Sequence, residues 1–244
     1  MIDRPDFFAK IRRILFNGKL GVRQMQGISV ILDRWESGAQ SQDKRQLAYV
    51  LATVHHETAR TFRPIHEIGG VEYLRRNYDI TGDRPRLARA NGNLEPGDGV
   101  RYAGRGFVQL TWKNNYRRVG EKLGIDLIAK PERAMELPVA TEILVRGMHE
   151  GWFTGKALAD FFNATDADWI NARRIINGVD MARTIARYAM AYHTALKNEV
   201  SVATTAQPSA VAKPVRHGRN TTRLKPATNL SPRKDGRKPL RQNR

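Results

Sequence analysis

The sequence contains no cysteine among its 244 residues. A disulfide framework, a cysteine nucleophile and a thiolate metal site are therefore excluded. A domain of about 200 residues buries enough apolar surface to fold without such cross-links. The absence of cysteine also fits synthesis in a reducing cytoplasm.

Long apolar runs are absent as well. Charged side chains, among them Asp6, Lys10, Arg12 and Arg13, interrupt the first twenty residues, so the apolar segment of a signal peptide is missing. Nowhere do about 18 apolar residues follow one another, the length that a membrane-spanning helix requires. We expect neither a signal peptide nor a transmembrane segment, and a substrate outside the cytoplasm would need a separate release step.

Acidic residues are scarce relative to basic ones. The chain has 24 Asp and Glu against 42 Lys and Arg, a net charge of +18. Residues 201–244 hold 11 Lys and Arg but one acid, so they carry +10 and the first 200 residues carry +8. Such a field favours anionic partners, including nucleic acid, teichoic acid, lipopolysaccharide and the carboxylates of peptidoglycan.

The composition changes after about residue 198, where Ser, Thr, Ala, Pro, Lys and Arg replace the large apolar residues. Such a segment cannot bury enough surface to offset its ordering entropy. We therefore predict a folded domain over 1–199 and a disordered basic tail over 200–244. The tail has no aromatic residue to stack on bases, so we expect no specific nucleic-acid binding. Nonspecific attraction to anionic cell-surface polymers and the absence of any role remain alternatives.

The first 199 residues have mainly helical periodicity. Apolar residues at steps of three and four predict helices from near Asp3, through Met25 to Trp35, and through Leu47 to a helix end at Glu57. Further helices are expected over 139–152, 166–176 and 182–197, with a small strand pair near 101–109. Residues 69–99 are rich in turn dipeptides and are predicted to form a long loop, which is functional or disordered.

Two glutamates fit the chemistry of a glycosidase, which needs two carboxyl groups on opposite sides of the scissile bond. Glu57 ends an apolar-faced helix, where burial would favour the protonated carboxyl of a general acid. Glu67 lies just before a Gly pair, ten residues later. A glutamate beside histidines is more often a capping or surface residue. A zinc site is not expected, because Arg60 stands where the HExxH motif needs its second histidine.

A second cluster, YAGRGFVQLTWKNNY, covers residues 102–116. Its glycines are not followed by the Gly-Lys-Ser/Thr of a phosphate-binding loop. It does bring amides, hydroxyls and aromatic rings to a predicted helix start, and sugar sites use these groups for hydrogen bonds and ring packing. A tightly packed turn before an ordinary polar helix explains the pattern equally well.

The pair HHETA at 55–59 and GRGFVQLTWKNNY at 104–116 resembles glycoside hydrolase family 19, which includes plant and bacterial chitinases and many phage endolysins. The segments LFNGKL, LAYVLATVHHETARTFRPIHEIGG and EPGDGVRYAGRGFVQLT are similar to the endolysin branch. RRIINGVD at 173–180 resembles the Ile-Asn-Gly segment of the family. The resemblance covers about residues 7–196 and none of the tail.

The resemblance implies a mainly α, lysozyme-like helical domain with a small irregular or β segment, and no cofactor. It implies that Glu57 is the general acid, Glu67 the general base, and Thr111 a ligand of the attacking water, with His56 orienting Glu57. It also implies inversion, with the two carboxyl groups about 6.5–9.5 Å apart. The expected substrate-binding residues are His56, Tyr102, Arg105, Gln109, Trp112, Asn115, Tyr116 and Asn177.

The sequence departs from many chitinases of this family. Ala59 and Arg60 replace their Gly-Gly pair, and the disulfides that they often carry are missing. Both differences argue against a secreted plant-type chitinase. Glu72, Asp79 and Glu95 remain alternatives for the second carboxylate.

The expected activity is hydrolysis of β-1,4 bonds between the amino sugars of bacterial peptidoglycan by a monomeric endolysin. The resemblance implies that it stays in the host cytoplasm until a holin releases it to the cell wall or periplasm. A chitinase and a catalytically decayed glycan-binding module are the alternatives.

Overall fold

A computed structural model of the chain describes residues 1–38 and 42–197. The described residues are mainly helical, as predicted; the predicted disordered tail, 200–244, lies outside them. Their α-helices are α1 Arg4–Leu15, α2 Val22–Ser37, α3 Lys44–Glu57, α4 Val71–Tyr78, α5 Pro85–Ala90, α6 Asp98–Arg101, α7 Lys113–Leu123, α8 Leu137–Glu150 and α9 Ala182–Leu196. Short 3₁₀ helices cover Pro131–Met135, Leu158–Asp160 and Asn171–Ile175. A two-stranded antiparallel sheet joins β1 Ile65–His66 to β2 Arg105–Gly106.

Aspartate side chains cap the starts of α1 and α3. The side chain of Asp3 accepts a hydrogen bond from the Asp6 amide at the start of α1, and Pro5 occupies the first turn. Asp43 caps α3 in the same way by accepting from the Arg45 amide. These side chains satisfy amide groups that a helix start would otherwise leave unpaired.

Helix α3 forms the centre of the core. Every residue from 46 to 55 is buried, and the helix packs mainly against α9, which also packs against α1. A helix that is buried around its whole circumference lies inside a domain rather than on its surface. Its last turn emerges from this rigid support and carries Glu57 to the edge of the core.

Residues 69–99 differ from the predicted loop, because α4, α5 and the start of α6 form there. Helix α4 has no buried residue, although Val71, Leu74 and Tyr78 follow one another at steps of three and four. The segment is instead held by Asp79, which accepts hydrogen bonds from the amides of Thr81, Gly97 and Gly99. Burial opposes the charge on Asp79, but these bonds keep its pKa below the ordinary value.

The helix predicted over 166–176 is wrong for most of its length. Only a 3₁₀ helix at Asn171–Ile175 forms, preceded by an isolated bridge between Phe162 and Ala167. The carboxylate of Asp168 accepts hydrogen bonds from both the amide and the side chain of Asn171, at 2.9 and 2.7 Å. Such local side-chain bonds compete with the α-helical pattern.

The small sheet places the two motif regions beside each other. Ile65 pairs with Gly106 and His66 with Arg105, so the strand pair predicted near 101–109 draws its partner from the segment just before Glu67. A further bridge from Arg105 to Leu110 closes the turn that follows. None of the described helices combines the length and the hydropathy that crossing a bilayer requires.

Candidate active site

Glu57 forms a buried ion pair with a residue far along the chain. Its Oε1 accepts a hydrogen bond from Nη1 of Arg173 at 2.6 Å, and the side chains are 14% and 5% exposed. Nε of Arg173 also donates to the Asp180 carbonyl. Oε2 of Glu57 has no hydrogen-bond partner within the described part of the chain, so one oxygen remains available to a ligand.

His56 and Asn177 lie next to this ion pair. Burial lowers the pKa of His56, the charge of Glu57 raises it and that of Arg173 lowers it; the net shift is downward, so the ring is neutral near pH 7. The Asn177 amide donates to the Arg173 carbonyl, and its side-chain oxygen accepts from the Gly178 amide. The first group of site residues therefore comprises His56, Glu57, Arg173 and Asn177.

Glu67 is held through its backbone and through both carboxylate oxygens. Its amide donates to the Gly104 carbonyl, and its Oε2 accepts from the Gly104 amide at 3.1 Å. Its Oε1 accepts from the Tyr78 hydroxyl at 2.5 Å. A Cβ atom at Gly104 would lie 2.9 Å from Oε1 of Gln109 and 3.0 Å from Oε2 of Glu67, so a larger residue there would displace both side chains.

The GRGFVQLT segment folds tightly against Glu67. Gln109 donates from Nε2 to the carbonyl of Ile65, which fixes the turn to β1. Thr111 is 8% exposed, and its hydroxyl donates to the Gln109 carbonyl at 2.8 Å, which leaves the hydroxyl oxygen able to accept. Asn115 donates to the Thr111 carbonyl from the first turn of α7. The second group therefore brings Glu67, Gln109, Thr111 and Asn115 together.

The aromatic residues expected to bind substrate differ in how deeply they are buried. Tyr102 and Tyr116 are buried, and their hydroxyls donate to the carbonyls of Ile128 and Ala103. Arg105 donates to the Tyr116 hydroxyl and to two backbone carbonyls. These three side chains support the loop from within. Trp112 is half-buried, and its ring packs edge-on against Tyr78 at 5.0 Å.

Backbone strain concentrates around both motifs. Seven non-glycine residues have positive φ in the described part, and five of them lie within 59–62 and 109–112: Ala59, Arg60, Phe62, Gln109 and Trp112. Such conformations persist only where the surrounding structure enforces them, and they cluster at functional sites. Thr58 helps to enforce the first turn, since its hydroxyl accepts from the Phe62 amide.

The alternative carboxylates have other environments. Glu72 is 83% exposed and pairs with Arg75, and Glu95 is also exposed. Asp79 is buried and fully engaged with backbone amides, as described above. Of the four candidates for a second carboxylate, Glu67 alone contacts the GRGFVQLT segment. The described residues contain no group of three or more His, Asp or Glu side chains that could hold a metal ion.

Arg173 and Tyr78 are candidate site residues that were not selected from the sequence. Arg173 lies 116 positions from Glu57, and no local pattern links the two. Tyr78 lies in the segment predicted as a loop, and it belongs to no sequence motif that would indicate a functional role. The RRIINGVD resemblance included Arg173 but pointed to Asn177 instead.

Comparison with known proteins identifies the family. Residues 33–154, half of the chain, match the profile of the family 19 glycoside hydrolases, described as class I chitinases. The chain therefore belongs to glycoside hydrolase family 19. Chitinase C from Streptomyces griseus HUT6037 has a similar fold, with a TM-score of 0.51 and 21% identity over 80% of this chain and 76% of that one.

The curated relatives are plant enzymes that share only part of their length with this chain. An endochitinase of Arabidopsis thaliana is 33% identical over 128 residues, which cover 52% of this chain and 44% of the relative. The acidic endochitinase SP2 of Beta vulgaris is 28% identical over 116 residues, 48% of this chain and 35% of the relative. The chain thus spans less than half the length of these two relatives.

Proposed function

We propose that this protein hydrolyses β-1,4 glycosidic bonds between the amino sugars of bacterial peptidoglycan, with inversion at the anomeric carbon. The observation that carries the proposal is that different elements hold two carboxylates, Glu57 and Glu67. Glu57 ends the central core helix α3, and Glu67 is hydrogen-bonded to Gly104 in the GRGFVQLT segment, which also contains Thr111. Inverting hydrolysis needs one carboxyl group as acid and the other as base.

Glu57 is the proposed general acid. Oε1 contacts Arg173, whereas Oε2 is free to approach the glycosidic oxygen. To act as an acid, Glu57 must carry a proton when the bond breaks, so substrate binding has to weaken the ion pair with Arg173. The neutral ring of His56 adds no positive charge that would oppose this step.

Glu67 is the proposed general base. Tyr78 and Gly104 donate hydrogen bonds to its two carboxylate oxygens and so fix the orientation of the group that accepts a proton from water in this proposal. In this proposal the Thr111 hydroxyl oxygen orients the attacking water. After reaction, the proton from water resides on Glu67 and the leaving sugar carries the proton from Glu57, so the site regains its initial state by exchanging one proton with solvent.

Peptidoglycan is favoured over chitin by charge and by the endolysin-like segments. Chitin is neutral, whereas peptidoglycan carries carboxylates, and a chain of net charge +18 attracts an anionic polymer. Chitin is the second candidate because the similar proteins named above are chitinases. As part of the proposal, the protein acts as a monomer after release from the host cytoplasm to the cell wall.

The test measures product release from purified peptidoglycan and from chitin oligosaccharides by mass spectrometry. We expect Glu57→Gln and Glu67→Gln to lower kcat at least about 100-fold while both variants stay folded, because each removes one proton-transfer group. Glu72→Gln is the matched control, since that side chain is exposed and paired only with Arg75. It should retain wild-type turnover.

The other outcomes are equally specific. Turnover of chitin without turnover of peptidoglycan would replace the proposed substrate. Full activity in Glu67→Gln would assign the base to another carboxylate. A folded wild type that binds glycan but cleaves neither polymer would identify a binding module. The anomer released first, read by NMR, checks the mechanism: a retained configuration would rule out inversion.

A further inference from the structure

Four exposed arginines lie close together in sequence on the segment that joins α4 to α5. Arg76 belongs to α4, Arg84 precedes α5, and Arg86 and Arg89 belong to α5. None of the four side chains makes a hydrogen bond or an ion pair with another described residue, in contrast to Arg75, which pairs with Glu72. We call these four residues the arginine surface.

The backbone holds the arginine surface in place. The Asp83 amide donates to the Arg76 carbonyl at 2.8 Å, which brings the entrance of α5 to the end of α4. Asp79 fixes the intervening turn through its bonds to Thr81, Gly97 and Gly99. Arg86 and Arg89 are three residues apart on α5, so they lie on one face. The backbone positions of the four arginines are therefore fixed, and of the two acids between them in sequence Asp79 is buried and only Asp83 is exposed.

The arginine surface adjoins the site that contains Glu67. Burial and the hydrogen bond to Glu67 raise the pKa of the Tyr78 hydroxyl, and the nearby charge of Arg84 acts in the opposite direction. Arg76 precedes Tyr78 by two residues on α4, and the Tyr78 hydroxyl donates to Oε1 of Glu67 at 2.5 Å. One short helix therefore connects the arginine surface to the proposed general base.

We propose that the arginine surface binds the carboxylates of the peptide side chains carried by the peptidoglycan strand on which Glu67 acts. This inference rests on the proposed function and adds how the substrate is distinguished from a neutral glycan. Guanidinium groups match carboxylates in geometry and charge. Closeness to Glu67 favours a charge attached to the substrate over a separate phosphate polymer, whose binding would not require a position near Glu67.

The test compares two forms of peptidoglycan stripped of other wall polymers. One is native, and in the other the carboxylates are converted to methylamides, so that glycan and peptides remain but the negative charge is lost. Binding of the full chain is measured by pelleting in the cold. Exposed ion pairs made by the four arginines together contribute enough that we expect the wild type to prefer the native form about tenfold.

The variant Arg76→Gln/Arg86→Gln/Arg89→Gln should lose most of this preference. The control Arg13→Gln/Lys130→Gln/Lys156→Gln removes the same charge from exposed side chains elsewhere that make no hydrogen bond or ion pair with another described residue, and it should keep the preference. An undiminished preference in the first variant, or an equal loss in both, would overturn the inference. Failure of the proposed function is a separate result, because it appears as absent cleavage of native peptidoglycan by the wild type.

Discussion

At the scale of single residues, the ion pair between Glu57 and Arg173 stabilises the fold less than the loss of one partner would destabilise it. Removing either partner leaves a nearly buried charge without compensation, which costs about 3–5 kcal/mol in comparable pairs. In the protein without substrate, the ion pair therefore holds the Glu57 carboxylate and the Arg173 side chain in place. Arg173 also donates to the Asp180 carbonyl, so the same side chain connects Glu57 to the segment that contains Asn177.

Tyr78 offers a cleaner test of positioning, because its hydroxyl can be removed without removing the ring. In Tyr78→Phe, Oε1 of Glu67 loses its donor while the contact with Trp112 remains. A hydrogen bond to a charged group is worth roughly 1.5–3 kcal/mol, so we expect kcat to fall about tenfold or more. KM should change little, since the hydroxyl acts through Glu67. Steady-state kinetics on peptidoglycan fragments measures both.

Tyr73→Phe is the matched control for this prediction. Tyr73 lies on the same helix, and its hydroxyl makes no hydrogen bond within the described residues. It should retain the wild-type kcat. A folded Tyr78→Phe protein with unchanged kcat, or with a rise in KM alone, would show that Tyr78 does not position the base.

At the scale of elements, the packing of α3 on α9 encloses a titratable group. His55 is 1% exposed, its Nδ1 lies 2.9 Å from the Tyr192 hydroxyl, and its ring packs at 4.3 Å from Tyr188. Burial lowers the pKa of His55 from 6.5 to about 4. The core therefore accommodates the neutral ring, and protonation opposes the packing of these two helices.

This shift predicts an acid-sensitive fold. Because the folded-state pKa lies below the unfolded one, the unfolded chain binds more protons between about pH 4 and 6.5. The stabilising contribution is therefore present above pH 6.5 and lost as the pH falls towards 4. We expect the free energy of unfolding to drop by about 2 kcal/mol from pH 7 to pH 5 on account of His55.

Urea unfolding of wild type and His55→Gln at the two pH values measures this contribution. Glutamine retains a polar group near Tyr192 but cannot titrate. The variant should be less stable at pH 7 and lose less stability on acidification. An equal loss in both proteins would attribute the acid sensitivity to other groups, among them His56 and His193, whose pKa values are also lowered by burial.

The predictable elements are those that bury an apolar stripe. Helices α1, α2, α3, α8 and α9 show this periodicity in the sequence, and all five form. Helices α4 and α5 are short, bury almost nothing and lie among turn dipeptides, so the segment is predicted as a loop although Val71, Leu74 and Tyr78 have helical spacing. The bonds that Asp79 accepts from Gly97 and Gly99 join residues about 20 positions apart and become visible only in the fold.

The candidate site divides in the same way. Glu57 and Glu67 can be predicted from the short sequence motifs in which they lie. The partners of these carboxylates, Arg173 and Tyr78, come from distant or irregular segments and required the fold to be known. Tyr102 and Tyr116 illustrate the converse, since a polar aromatic residue in a motif serves equally well as a buried support.

At the scale of the whole molecule, positive charge is present in both parts of the sequence. The first 200 residues carry +8 and residues 201–244 carry +10. In the proposed function these charges act at different ranges. The arginine surface acts close to Glu67, whereas the tail would concentrate the protein at an anionic cell surface before any bond is cleaved.

Deleting residues 201–244 separates these two effects. We expect turnover of soluble oligosaccharides to stay at the wild-type level, because no proposed catalytic residue lies in that segment. Binding to whole cells should weaken at low salt, and the difference should shrink towards physiological ionic strength, where the Debye length falls to about 8 Å. Sedimentation with intact cells over a salt series measures both effects.

A full-length variant with the 11 Lys and Arg of residues 201–244 replaced by glutamine distinguishes charge from chain length. If charge is responsible, this variant should bind cells as weakly as the truncated protein. If it binds like the wild type, the segment contributes by another means. Equal cell binding by the truncated and intact proteins at low salt would leave the first 200 residues, including the arginine surface, as the sole source of attraction to the cell wall.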